Sequence, residues 1–324
     1  MNMTKNYKFT GDWISGFTQS DGSFIISFLN KKKGVFIRPQ PVFNITQSIV
    51  ELEMFIALQK YLGVGKIYKN RKNVVFVVKS IDEIVDVILP LFDKHPVRAG
   101  KLLAYNIFKE VSLMVKNKKH LTDEGTFKIL KLAYFMNKET SLRNEDSLKS
   151  LTDKLVLKTD NSEPDITNMT IERLNNTGPL TFEFVRGLVD GDGSFNVSFA
   201  TTRRRVGVNF TVVNELSSIS VLNELVEFFK CGTVYKLPSA AARFQVQSVE
   251  DILNKIIPVF KNTEFNTKKQ ERFKIIIKIC ELIKEKGYSN NADLKAIVDI
   301  AWDMNNTGRR KISKEEYLNL FCKS

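Results

Sequence analysis

The hydrophobic positions of this chain change their period in a fixed order, and the order occurs twice. Around Gly16 the residues Trp13, Ile14 and Phe17 recur on a helical period, introduced by Asp12 as the expected N-cap. In the second copy Phe184, Val185 and Leu188 do the same behind Thr181 as N-cap. After Gly22 and Gly193 the period becomes two. Phe195, Val197 and Phe199 alternate with Ser194, Asn196 and Ser198, the mark of a strand with one dry and one wet face. The next strand sets Val206, Val208, Phe210 and Val212 against Arg205, Asn209 and Thr211, and a later one sets Phe244 and Val246 against Arg243, Gln245 and Gln247. The first copy sets Ile37, Phe43 and Ile45 against Arg38, Gln40 and Asn44. Each copy therefore predicts helix, hairpin, helix, hairpin and then helices: an α+β domain whose antiparallel sheet carries helices on one face and polar side chains on the other.

The repetition extends to individual residues. WISGFTQSDGSFIISF from Trp13 matches FVRGLVDGDGSFNVSF from Phe184, pairing Gly16 with Gly187, Asp21 with Asp192 and Phe24 with Phe195 at an offset of 171. Downstream, Gly65 pairs with Gly232 and Tyr68 with Tyr235 at an offset of 167, and Lys101 with Lys269 and Asn137 with Asn305 at 168. Matches in one order at nearly one offset make the chain two copies of one domain. The expected division is 1–137, a polar linker over 138–179, and 180–324. The linker holds RNEDS, KTDNSEPD and LNNTG, although Leu148, Leu151, Leu155 and Leu157 also fit a segment packed on a body.

Composition narrows the chemistry. Two histidines, His95 and His120, and three cysteines, Cys231, Cys280 and Cys322, form no zinc-ligand spacing and leave no His-activated nucleophile. Scattered cysteines fit a reducing compartment. No apolar run reaches a membrane span. The N-terminus MNMTKNYKFTGDW has neither an apolar signal core nor an Arg/Ser-rich presequence, so the chain is expected to be made where it works or to have lost a leader. The 324 residues carry 49 Lys+Arg against 36 Asp+Glu, a formal net charge of +13, which points to a polyanionic partner.

That charge gives the wet faces a use. Plain solvated strands carry Lys and Glu of mixed sign, whereas these carry types that hydrogen-bond base edges in the major groove. The expected DNA-contacting residues of the first copy are Ser23, Arg38, Gln40, Asn44, Lys66 and Tyr68. Those of the second are Asn196, Ser198, Asn209, Thr211, Tyr235, Lys236, Arg243, Gln245 and Gln247. Basic hairpin tips, at Lys31, Lys32 and Lys33, at Asn70, Arg71 and Lys72, and at Arg203, Arg204 and Arg205, suit phosphate contacts. Two such sheets would read two half-sites of one duplex.

Asp21 and Asp192 each end an apolar helix just before a glycine and a strand. One such Asp-Gly is an ordinary helix terminus. A calcium loop fails, because Thr201 stands where the twelfth-position Glu belongs. Small residues one turn apart, Gly16 with Ser20 and Gly187 with Gly191, would let the two helices pack closely and bring both carboxylates to one end. Two carboxylates near a DNA backbone suit Mg²⁺ and phosphodiester hydrolysis.

With these residues the chain resembles the LAGLIDADG homing endonucleases in their single-chain, double-motif form, on ISGFTQSDG (Ile14–Gly22) and VRGLVDGDG (Val185–Gly193). KHLTDEGTFKI from Lys119, followed by LAYFMN, is similar to fungal mitochondrial, group I intron-encoded members. The resemblance implies two αββαββα domains forming a saddle over double-stranded DNA, with the motif helices at the interface. It implies divalent-metal-dependent cleavage of both strands across the minor groove with 3′ overhangs. Asp21 and Asp192 would be metal ligands, helped by the carbonyls of Ser20 and Gly191. Lys101 and Lys269 match basic residues near the scissile phosphates. Gln47, with Asn214 as its counterpart, matches a polar residue positioning water or metal. Gln19 stands where the first motif usually has an earlier acid, a position taken here as unimportant. The metal expected is Mg²⁺, with Mn²⁺ or Ca²⁺ substituting for binding. A monomer in the mitochondrial matrix that starts intron mobility is the implied biology. An RNA-binding maturase assisting group I intron splicing is the alternative, and a catalytically dead DNA-binding regulator a third reading.

Overall fold

The computed structural model describes residues 5–30, 37–136, 177–302, 304 and 312–321. The chain forms two compact units, Met1–Pro179 and Leu180–Ser324. The expected linker falls outside the described residues except for its last three positions, and Lys31, Lys32 and Lys33 fall outside them as well.

The first unit begins with α1 (Gly11–Asp21), continues through β1 (Gly22–Asn30), β2 (Ile37–Ser48), α2 (Leu52–Leu62), β3 (Lys66–Lys69) and β4 (Asn73–Val78), and proceeds to α3 (Leu89–Lys94), α4 (Ala99–Lys116) and α5 (Asp123–Phe135). The second repeats it with α6 (Phe182–Asp192), β5 (Gly193–Phe199), β6 (Val206–Glu215), α7 (Ile219–Phe229), β7 (Thr233–Leu237), β8 (Ala241–Val246), α8 (Ile257–Phe260) and α9 (Lys269–Lys286). It closes with α10 (Asn291–Ala301) and α11 (Lys314–Phe321). Both sheets are antiparallel, in the orders β1-β2-β4-β3 and β5-β6-β8-β7. The predicted α+β architecture is therefore present twice.

Local rules explain the turns. Thr10, in extended backbone, accepts the Trp13 N–H at 3.1 Å and caps α1, so Asp12 is not the N-cap. Asp12 instead lies in the first turn, where a negative charge suits the helix dipole, and its Oδ1 is 2.5 Å from His95 Nδ1. Thr181 caps α6 as expected, accepting from Phe184 N at 3.2 Å. Between the second helix and third strand, Gly65 and Gly232 adopt φ of 84° and 88°. A Cβ on them would meet the rings of Phe76 and Phe244 at 2.7 and 2.5 Å. Each unit also places a π-helical turn, Ile84–Ile88 or Ile252–Ile256, just before a proline near the start of the following helix. Proline has no N–H to give, and a widened turn accommodates that gap.

The cores repeat too. Phe24, Phe43, Phe92 and Tyr105 form one aromatic group, and Phe195, Phe210, Phe260 and Phe273 form its counterpart. These rings join the helix-facing side of each sheet to the helices behind it. The opposite faces differ. That of the second unit carries Asn196, Asn209, Thr211, Arg243 and Gln245, as expected, whereas that of the first carries Ile25, Val42, Val75 and Val77 beside its polar residues.

Candidate active site

α1 and α6 deliver an aspartate to the start of the first strand of each unit. In the first unit Gln47, near the end of β2, donates from Nε2 to Asp21 Oδ2 at 2.6 Å. Its own Oε1 accepts the Ser48 N–H at 3.1 Å. In the second, Asn214 on β6 donates from Nδ2 to Asp192 Oδ2 at 2.9 Å, and its Oδ1 accepts the Glu215 N–H at 2.9 Å. The backbone bond fixes which end of each amide faces the carboxylate. The shorter Asn214 does the work of Gln47, because each belongs to the strand beside its aspartate.

The predicted lysines arrive from the starts of α4 and α9. Lys101 Nζ donates to the Gly22 carbonyl at 2.7 Å. Lys269 Nζ donates to the Asp190 carbonyl at 2.6 Å and to that of Gly191. Both ammonium groups thus meet carbonyls at the C-terminal end of a motif helix, where the dipole is negative. A carboxylate at that same end is disfavoured by the dipole and gains from any cation nearby. Asp21, Gln47 and Lys101 come together in one unit, and Asp192, Asn214 and Lys269 in the other. Ser20 lies directly before Asp21, and Gly191 before Asp192.

The oxygen-only donor set fits a hard divalent ion. Among the described residues no group of three or more His, Cys, Asp or Glu forms a protein-only cage. One or two carboxylates, with waters and phosphate oxygens completing the shell, is how Mg²⁺ is usually held. The residues therefore fit a metal taken up with a phosphate substrate.

Two contributors escaped sequence reasoning. Asp190, fully buried, accepts the backbone N–H of Asn266 at 3.0 Å and of Thr267 at 2.9 Å, and the Thr267 hydroxyl at 2.7 Å. It thereby anchors the loop that starts α9 and positions Lys269. Its counterpart Gln19 is equally buried and accepts the Arg98 N–H at 2.8 Å, so the position is structural in both units. The signal was a polar residue two positions before the helix-ending aspartate in both copies. Arg98, 6% exposed, donates from Nη2 to the carbonyls of Thr177, Gly178 and Pro179 at 2.9, 3.0 and 3.1 Å.

The expected DNA face is mostly where the alternation put it. Ser23 pairs with Asn44, and Lys66 and Tyr68 share their face across β4. Gln40 and Arg38 continue it along β2. In the second unit Tyr235 donates to Gln245 Oε1, and Gln245 Nε2 donates to Asn209 Oδ1 at 2.8 Å. Asn196 Nδ2 donates to Ser194 Oγ at 2.8 Å, and the Ser198 hydroxyl reaches the Gly207 carbonyl at 3.4 Å. Arg71, Lys72, Arg203 and Arg205 are exposed, and Gln247 is exposed just past β8. Three residues differ from expectation. Arg204 is half-buried and turns to the protein, donating to the Tyr288 carbonyl at 3.0 Å and to Asn291 Oδ1 at 2.9 Å. Lys236 pairs with core-facing Ala242, so it belongs to the helix side of the sheet edge. Asn70 shapes its tip, its Oδ1 accepting from Lys72 N and Asn73 N at 3.0 and 2.7 Å.

Known proteins resemble this chain in sequence and fold. The family model described as LAGLIDADG endonuclease matches residues 14–112 and again 185–280. "Probable intron-encoded DNA endonuclease 1" of Mycosarcoma maydis is 42% identical over 271 residues, covering 83% of this chain and 98% of that protein. "Probable intron-encoded endonuclease 2" of Neurospora crassa is 29% identical over 295 residues, 87% of this chain but 64% of that longer protein. Among solved structures, I-SmaMI bound to an uncleaved DNA target in the presence of calcium ions superposes with a TM-score of 0.78 at 23% identity, covering 92% of this chain and 99% of that one. The LAGLIDADG homing endonuclease I-GzeII in complex with its DNA target gives 0.77 at 25% identity, covering 94% and 100%. With the motif matched in both units and the fold shared over nearly the whole length, the chain belongs to the LAGLIDADG endonuclease family.

Proposed function

We propose that this chain is a site-specific homing endonuclease that makes a divalent-metal-dependent double-strand break in a long DNA target and so starts intron mobility. The observation that carries the reading is the duplicated set of carboxylate, amide and ammonium at the end of each motif helix. One set per unit suits the two strands of one duplex, cut with a stagger that leaves 3′ overhangs. Asp21 and Asp192, with the carbonyls of Ser20 and Gly191, hold the metal, and Mg²⁺ is the physiological ion. When bound, a divalent ion activates water and neutralises charge on the leaving oxygen. Gln47 and Asn214 hold the carboxylates in one rotamer through amides whose orientation the backbone dictates. Lys101 and Lys269 leave their helix-end carbonyls to face the scissile phosphate, where an ammonium stabilises the added negative charge of the transition state.

The wet sheet faces read bases, and Arg71, Lys72, Arg203 and Arg205, together with Lys31, Lys32 and Lys33, contact phosphates. Residues 1–137 and 180–324 are the two DNA-binding domains and 138–179 their connection. The chain acts as a monomer. Intron-encoded fungal relatives support synthesis and action in the mitochondrial matrix. The test is incubation of the purified chain and Mg²⁺ with a plasmid carrying the rejoined exons of the gene that hosts its intron. Linearisation at the exon junction is expected. An uncut plasmid, together with retention of intron RNA in preference to that duplex, would overturn the reading in favour of a splicing role.

A further inference from the structure

The two wet faces read alike in topology but not in chemistry. In the second unit Asn196 pairs across strands with Asn209, and Gln245 and Arg243 follow on β8 opposite Thr211 and Val213. In the first unit the same registers hold Ile25 opposite Val42, with Val77 and Val75 following on β4 opposite Asn44 and Thr46. The four equivalences, Ile25 with Asn196, Val42 with Asn209, Val75 with Arg243 and Val77 with Gln245, lie at offsets of 171, 167, 168 and 168. At these four registers the polar side chains of the second face are branched apolar ones in the first, while Ser23, Asn44, Thr46 and Tyr68 keep polar groups beside them. None of the four apolar residues belongs to either core of that unit, whose strand members are the alternate residues such as Phe43, Val74, Phe76 and Val78. Val42 and Val77 are 7% and 8% exposed, and Ile25 and Val75 are half-buried. They form a recessed apolar floor, with exposed Arg38, Lys66 and Tyr68 around it.

We propose that the first unit reads its half-site through the 5-methyl groups of pyrimidines. The inference rests on the DNA-endonuclease reading above. The C5-methyl is the apolar mark of a T·A pair in the major groove, and apolar side chains recognise it by contact. The occupant is duplex DNA because the floor takes the place of the second unit's hydrogen-bonding set and has a basic rim. 5-Methylcytosine carries the same group, whereas RNA has uracil and does not. The second unit fills these four registers with hydrogen-bonding groups instead. There Tyr235 donates to Gln245 and Gln245 to Asn209, so the chain of donors ends on the Asn209 amide nitrogen, suited to purine acceptors.

The test begins with a randomised duplex library selected for binding to the full chain at low salt. The recovered duplexes are then rebuilt with deoxyuridine for thymidine in one half-site at a time. Binding is expected to weaken about fourfold for each methyl removed beneath the floor, and to change little in the other half-site. Val42→Asn with Val77→Gln, the second unit's residues, should abolish the thymidine-over-deoxyuridine preference in that half-site alone. Duplexes with 5-methylcytosine in place of cytosine there separate the methyl sources. Tighter binding identifies any 5-methylpyrimidine, and equal binding identifies thymine, both within the proposal. Equal affinity for thymidine and deoxyuridine duplexes in both half-sites overturns it. Failure of the wild-type chain to retain any duplex defeats the endonuclease reading instead.

Discussion

Gln47 and Asn214 show how one contact constrains the carboxylate that ends each motif helix. Each amide uses its oxygen on a neighbouring backbone N–H and its nitrogen on the aspartate. Removing either leaves the carboxylate one partner short. Gln47→Ala and Asn214→Ala should each reduce cleavage about 10–100-fold at unchanged duplex affinity, as loss of an orienting partner does at metal sites, measured by single-turnover rates beside binding. Asp190 and Gln19 are a second comparison. Asp190 serves three donors at the start of α9, whereas Gln19 accepts from Arg98 N at the start of α4. Asp190→Ala strands buried N–H groups and should cost about 1–3 kcal/mol of unfolding free energy, more than Gln19→Ala, in denaturant titrations. Neither role was legible in sequence, because the partners are 76 to 79 residues apart and meet only when the helix packs against the loop. Cys280 gives a pH test. Burial pushes its thiol from 9.0 up to about 12. The unfolded thiol ionises first, so its contribution to stability is complete below pH 9 and is lost as pH rises toward 12. A thiol reagent at pH 8 should label Cys280 only after denaturation.

At the level of helices and strands, the period of the pattern predicted the architecture and the repeat doubled the evidence for every element. The alternation after Gly193 identified the wet face of β5 residue by residue, and the registers agree with it. β4 was harder. Asn73–Val78 reads NVVFVV, a continuous apolar run whose two faces cannot be told apart by period, so the floor formed by Val75 and Val77 stayed hidden. Arg204 was grouped with Arg203 and Arg205 on charge alone, yet Tyr288 and Asn291 draw it onto the protein. The N-cap shifted from Asp12 to Thr10 because the cap must be extended, a property of backbone that composition does not encode. The turn glycines carry a prediction at this scale. Gly65→Ala, forced to φ of 84° with its Cβ against Phe76, should destabilise the first unit by about 1–3 kcal/mol, as thermal or denaturant unfolding would show.

For the whole molecule, the net charge of +13 becomes a statement about phosphate contact. If roughly 6–10 phosphates are neutralised, duplex affinity should fall about 10³–10⁵-fold between 50 and 200 mM salt, measured by titration at several ionic strengths. A flat response would place the basic residues elsewhere than on DNA. The central claim is that each unit contributes one catalytic carboxylate to a double-strand break. Its most direct measurement is strand-resolved cleavage of an end-labelled duplex spanning the rejoined exons, in Mg²⁺, by the wild-type chain and by Asp21→Asn and Asp192→Asn. The account predicts two staggered cuts by the wild type. Each variant should lose the double-strand break by about 10²–10³-fold or more while still binding the duplex. Undiminished cutting of both strands by the Asp21→Asn, Asp192→Asn double variant would contradict it.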